Sequence, residues 1–144
     1  AMAVPKAGEA ALDPNWSTKP VTYFAGGSGL SGTVHDYARF LQMVLNGGEL
    51  DGVRLLSRKT VQMMLTNQIG QLQPNYGLGF AVETEQNDFR SPKSLGSFWW
   101  SGAFQTFYWV DPQEKLIALC YTNVYGTGAR LGALFETLVY DALK

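Results

Sequence analysis

The last third of the chain constrains the fold most. Gly96 to Ala103, Gln105 to Val110 and Leu116 to Asn123 read as three consecutive strands. Asp111-Pro112-Gln113-Glu114 joins the last two, with proline pre-setting a turn dihedral. In the third segment Ile117, Leu119 and Tyr121 point one way, while Leu116, Ala118 and Cys120 point the other. Both sets are apolar, so this strand is expected in a sheet covered on both faces. A closing helix from Ala129 to Lys144 offers Leu131, Leu134, Phe135, Leu138 and Tyr140 or Val139 to the core.

Upstream, residues 1–20 form an irregular lead-in punctuated by Pro5, Gly8, Pro14 and Pro20. A short extended segment, Val21 to Phe24, runs into the glycine cluster 26–32. Thr33 has the chemistry of a helix N-cap, and Asp36 three residues on completes a capping box. Val34, Tyr37, Phe40, Leu41, Val44 and Leu45 give that helix one apolar face, and Asn46-Gly47-Gly48 ends it. Glu49 to Leu56 reads as a hairpin turning at Asp51-Gly52. Ser57 caps a second helix with Val61, Met64 and Leu65 inward. Tyr76 to Val82 is a strand, and Glu83 to Leu95 a polar loop. No linker divides the 144 residues, so one domain from 21 to 144 is expected after the lead-in.

The chemistry is narrowed by what is scarce. Eleven basic against twelve acidic residues leave a net charge of −1, which does not suit a nucleic-acid surface. No segment has the length or apolarity of a membrane span or signal sequence, so a soluble chain of unassigned compartment is expected. One cysteine, Cys120, cannot form an internal disulfide, and one histidine, His35, does not make the usual zinc cluster. Gly27-x-Gly29-x-x-Gly32 has the spacing of a dinucleotide fingerprint but lacks the acidic residue about twenty positions on. No serine occupies a Gly-x-Ser-x-Gly elbow, and His35 sits in a helix's first turn beside Asp36, an ordinary place for an exposed histidine. Cys120 has no local basic partner and reads as a small core residue. Trp100-Ser101-Gly102-Ala103 is more informative, because two small residues interrupt an aromatic strand where a ligand or backbone can approach closely.

Several segments together resemble the second half of the serine β-lactamase-related proteins, the group of class C β-lactamases and penicillin-binding-protein-like esterases. These are Gly27-Ser28-Gly29-Leu30-Ser31-Gly32-Thr33-Val34-His35-Asp36-Tyr37-Ala38-Arg39-Phe40 and Leu45-Asn46-Gly47-Gly48-Glu49-Leu50-Asp51-Gly52. Tyr76-Gly77-Leu78-Gly79-Phe80, Trp100-Ser101-Gly102-Ala103 and Tyr108-Trp109-Val110-Asp111-Pro112 complete the set. The resemblance runs from about Phe24 to the C-terminus, and its esterase-like branch fits best. It implies an α+β class: a partial β-lactamase/transpeptidase-like fold with three C-terminal antiparallel strands packed with helices. It implies no cofactor. Trp100-Ser101-Gly102 takes the place of the family's Lys-Thr-Gly motif, with tryptophan for lysine. The Ala103 backbone N–H would be an oxyanion donor, and Trp100, Ser101 and Gly102 would line the substrate site. The substrate implied for the complete enzyme is a small acyl ester or β-lactam-like molecule.

The departures set the expectation. No serine is followed by lysine at the third position, so nucleophile and base are missing. Tyr121-Thr122-Asn123 has the form of the family's middle motif but follows the third motif, and is read as coincidence. The chain is therefore expected to be a C-terminal portion of a serine hydrolase, inactive alone; the alternative is a noncatalytic ligand- or partner-binding module. The strand Leu116 to Tyr121 is then an open apolar edge, expected to pair with another copy or with a complementary N-terminal fragment.

Overall fold

The computed structural model describes residues 20, 22–24, 26–27, 30–72, 74–124 and 130–143. The lead-in therefore falls almost wholly outside the described residues, as do Val21, Ser28 and Gly29 of the two segments that follow. Gly26, Gly27 and Gly32 have open space where a side chain would sit, so among the described residues no segment passes close to the cluster at these three positions.

Helix α1 spans Val34–Leu45. Thr33 Oγ1 accepts from the Asp36 N–H at 3.1 Å, and Asp36 Oδ2 accepts from the Thr33 N–H, so the capping box is present. At the other end the Gly48 N–H donates to Met43 C=O and the Gly47 N–H to Val44 C=O. This paired closure puts both glycines at positive φ. Gly48 also lies against Leu56 C=O, 2.2 Å from where a Cβ would stand, so no other residue fits. Leu41, Met43 and Val44 are buried, whereas Val34 and Phe40 are more exposed than the expected face allowed.

Strands β1 (Glu49–Leu50) and β2 (Val53–Arg54) form the expected hairpin, with Asp51 and Gly52 both at positive φ. Helix α2 (Arg58–Met64) starts on a Ser57 cap, its hydroxyl accepting from the Thr60 N–H.

The main sheet is antiparallel with order β3-β4-β5-β6: Ala81–Val82, Phe98–Ser101, Phe107–Asp111 and Leu116–Cys120. The three expected C-terminal strands are present as β4, β5 and β6, and β3, the end of the expected strand 76–82, pairs with the start of β4. The expected strand 76–82 is mostly a curl instead. Gly77 lies against Met64 C=O and Gly79 takes a φ of +97°, which turns Tyr76 back to bridge Ala81. Helix α3 spans Arg130–Asp141.

The sheet lies between helices. On one face α1 packs against Phe80, Val82, Phe98, Tyr108 and Val110, with Ile117 and Leu119 at the margin. On the other face α3 sets Phe135 edge-on to Phe107 and Trp109, and Tyr140 parallel to Trp109. β6 is a terminal strand of the described sheet rather than an inner one: Ala118 is buried, while Leu116, Ile117, Leu119 and Cys120 are half-buried. Leu131, Leu134 and Leu138 depart from expectation: they are exposed, because Phe135 and Tyr140 take the sheet-facing positions.

Candidate functional site

The Trp100–Ala103 segment ends β4. The Gly102 N–H donates to Thr106 C=O at 2.7 Å, closing the ladder to β5. In an antiparallel ladder alternate residues turn their main-chain groups to opposite sides. Ser101 therefore turns its own away from β5, beyond the reach of β3, which covers only Phe98 and Trp99. The Gln105 N–H then returns to Gly102 C=O at 3.2 Å, forming a tight turn with Ala103 and Phe104 at its corners. The Ala103 N–H has no acceptor among the described residues. Gln105 sits at φ +56°, strain that is paired here with an anchor: Thr122 Oγ1 donates to Phe104 C=O at 2.5 Å. A Cβ at Gly102 would stand 2.5 Å from Thr106 Oγ1, so a larger residue there displaces the Thr106 hydroxyl.

Trp100 is half-exposed beside this edge, and Tyr76 meets it edge-on at 4.8 Å. The same face carries Tyr108, Tyr37 and Tyr121, with Tyr37 5.1 Å from Tyr108 and 6.4 Å from Tyr121. Burial, followed by a hydrogen bond with Tyr37, raises the Tyr108 pKa far above that of a free phenol. Burial also raises that of Tyr121. These hydroxyls stay protonated, so they can donate hydrogen bonds but not act as bases near neutral pH. Tyr121 and Thr122 thus have structural partners, one in the tyrosine cluster and one on the turn.

His35 is exposed. The Asp36 carboxylate accepts from Thr33 Oγ1 at 2.7 Å and from the Thr33 N–H, bonds that lower its pKa and commit it to the cap rather than to orienting the imidazole. Ser101 and Ala103 are exposed, and Cys120 is a half-buried free thiol at the terminal strand, not a fully buried core residue.

Sequence reasoning missed the polar structure of the segment after β3, read there as a solvated loop. It holds a 3₁₀ turn at Asp88–Arg90 and buries Glu83, Asn87 and Lys93. Asn87 Oδ1 accepts from the Thr84 N–H at 2.8 Å and from Asn75 Nδ2 at 3.2 Å, and Asn75 also donates to Thr84 Oγ1. The Thr84-x-x-Asn87 spacing was the available signal, a local side-chain-to-backbone motif. Lys93 is buried, pairs with Glu136 of α3 and lies 5.6 Å over the Trp99 ring. These groups border a cavity of about 650 Å³ between β4, β5 and α3. Burial raises the Glu83 pKa against the attraction of Lys93, and Glu83 Oε1 has no partner among the described residues. Asp111 is the counter-case. Burial opposes its charge, yet hydrogen bonds from the Ser94 N–H, Tyr140 Oη and the Glu114 N–H overcome it and lower the pKa.

Among the described residues no helix is long and apolar enough to cross a membrane. The solved structure of EstCE1, a hydrolase with promiscuous acyltransferase activity, superimposes with a TM-score of 0.73 at 22% identity, covering 96% of this chain and 38% of that one. A beta-lactamase-type protein from Bacteroides dorei superimposes with a TM-score of 0.51 at 20% identity, over 76% of this chain and 41% of its own. These likenesses show the fold. Protein Rv1367c of Mycobacterium tuberculosis is 34% identical over 116 residues, which cover 69% of this chain. The chain spans 29% of the length of that curated relative. The beta-lactamase family model matches residues 2–139, and the chain belongs to the beta-lactamase family.

Proposed function

We propose that this chain is the oxyanion-binding portion of a serine hydrolase of the esterase type, whose nucleophile and base lie outside these 144 residues. The unpaired Ala103 N–H at the open end of β4 carries the reading. Serine attack on an ester carbonyl moves the carbonyl electron pair onto oxygen, and a fixed N–H donor stabilises that charge as it forms. Collapse of the tetrahedral species expels the alcohol, and water then releases the acid from the acyl-enzyme. EstCE1 supports this choice of chemistry, since acyl transfer uses the same covalent intermediate with an alcohol replacing water. Trp100 favours neutral, apolar acyl substrates. An indole does not supply the charged hydrogen bonds with which lysine holds a carboxylate, so β-lactams are the weaker substrates.

Ala103→Pro replaces that N–H with a ring methylene at a turn corner where proline's dihedral is accepted. In a longer polypeptide carrying this sequence and an ester-hydrolysing activity, kcat should fall by about 10²–10³-fold with KM little changed. An unchanged kcat would sink the reading. The isolated chain should show no mass increase with a fluorophosphonate probe; a stoichiometric adduct would place the nucleophile within it. Absence of ester hydrolysis in the longer polypeptide would favour the noncatalytic binding module.

A further inference from the structure

We propose that Thr122 is a positioning residue for the Ala103 N–H: its hydroxyl feeds a hydrogen-bond relay, through two peptide groups of the β4–β5 turn, that aims and strengthens that donor. The inference rests on the oxyanion role proposed for Ala103. The relay runs in one direction. The Val124 N–H donates to Thr122 Oγ1 at 3.3 Å, and Thr122 Oγ1 donates to Phe104 C=O at 2.5 Å. That carbonyl shares a planar trans peptide with the Gln105 N–H, which points the opposite way. The Gln105 N–H donates to Gly102 C=O at 3.2 Å. Gly102 C=O in turn shares its peptide with the Ala103 N–H, which has no acceptor among the described residues. Every link donates toward Ala103, so the peptide dipoles reinforce one another. A peptide whose oxygen accepts a hydrogen bond becomes a better donor at its nitrogen. The free end of the relay is the N–H at which an oxyanion's charge would develop.

The turn depends on this anchor for its geometry. The β5–β6 ladder stops at Phe107 and Cys120. Continued by two residues it would set Gln105 opposite Thr122, but there the Thr122 side chain makes the connection instead of the main chain. Gln105 holds a φ of +56°, which a residue with a Cβ keeps only where its surroundings impose it. Its bond to Gly102 lies at the long end of the N–H···O range. The other bond at this corner, from the Gly102 N–H to Thr106 C=O, fixes the peptide before Gly102 and not the one after it. The two peptides are joined by glycine dihedrals, the freest in any chain. The plane that carries the Ala103 N–H is therefore oriented by Gln105, and the Gln105 peptide by Thr122. Every atom of the relay belongs to residues 102–124, so it draws on no surface that a longer polypeptide would cover.

Thr122→Val keeps the shape of the side chain and deletes its hydroxyl, whereas Thr122→Ser keeps the hydroxyl. In the longer polypeptide acting on an ester, Thr122→Val should lower kcat about tenfold with KM little changed, and Thr122→Ser should restore it to within about threefold of wild type. Thr122→Ala, which introduces no bulk, should repeat the Thr122→Val result. In the same polypeptide without substrate, amide hydrogen exchange across residues 102–106 should quicken in Thr122→Val and Thr122→Ala but not in Thr122→Ser, at similar melting temperatures. Exchange equal in all four proteins would overturn the relay whatever the activity. An unchanged kcat in Thr122→Val beside a lowered kcat in Ala103→Pro would overturn the relay and leave the oxyanion reading standing. An unchanged kcat in Ala103→Pro itself would sink the oxyanion reading, and the relay with it.

Discussion

On the α1 side of the sheet, Leu41, Val44, Phe80, Phe98 and Val110 are buried against one another, with Phe80 edge-on to Phe98. On the α3 side, Trp99 and Trp109 share their space with Lys93, Glu83, Glu136, Asp111 and a cavity. The first side is held by apolar contact, which is non-directional and tolerant of small shifts. The second is held by directional pairs. Lys93 ties the segment after β3 to α3, and Asp111 ties the β5–β6 turn to Tyr140. One face therefore supplies stability, while the other fixes geometry.

Four substitutions sharpen or break that contrast. Phe98→Ala empties the closed side and should cost about 3–5 kcal/mol in urea unfolding. Asp111→Asn leaves donors on the other side unmatched, at about 1–3 kcal/mol for each buried group left unsatisfied. Because the folded-state pKa of Asp111 is lowered, its contribution is present above the ordinary carboxylate range and is lost as pH falls through the folded value. The wild type and Asp111→Asn should therefore converge in acid. Glu83 has the opposite sign. Its raised folded pKa contributes stability at low pH, lost as pH rises through that value, so Glu83→Gln should flatten the decline just above the ordinary glutamate range. Leu134→Ala, at an exposed position, should change monomer stability by no more than about 0.5 kcal/mol. If Leu134→Ala cost as much as Phe98→Ala, the two sides would not differ as described.

What could be read from the sequence was local chemistry. Thr33 with Asp36, the Asn46-Gly47-Gly48 stop and the Asp51-Gly52 turn each act through neighbours a few positions away, and each stands where the pattern puts it. The Trp100–Ala103 segment was legible through family resemblance. The freedom of its Ala103 N–H depends on Thr106, Gln105 and Thr122, which only the folded chain brings together. Longer-range placement was hidden for the same reason. The periodicity of α3 puts Leu131, Leu134 and Leu138 on one face with Phe135, and it does not say that Phe135 and Tyr140 meet the sheet without them. Nor does polarity between Glu83 and Leu95 reveal burial, because the partners of Asn87 and Lys93 come from Asn75 and Glu136. Tyr76 to Val82 has strand composition, yet the contact of Gly77 with Met64 bends it away.

The Tyr140–Asp111 bond, the Lys93–Glu136 pair and the seating of Gly132 on Phe107 together set the azimuth of α3. A helix free to roll about its own axis would turn Leu131, Leu134 and Leu138 inward and hide them. Three fixed points, spread from near one end of the helix to the other, forbid that roll. The leucines stay off the sheet because polar partners clamp the helix's rotation, so the outward stripe is a built-in property of the C-terminal helix rather than a failure to pack.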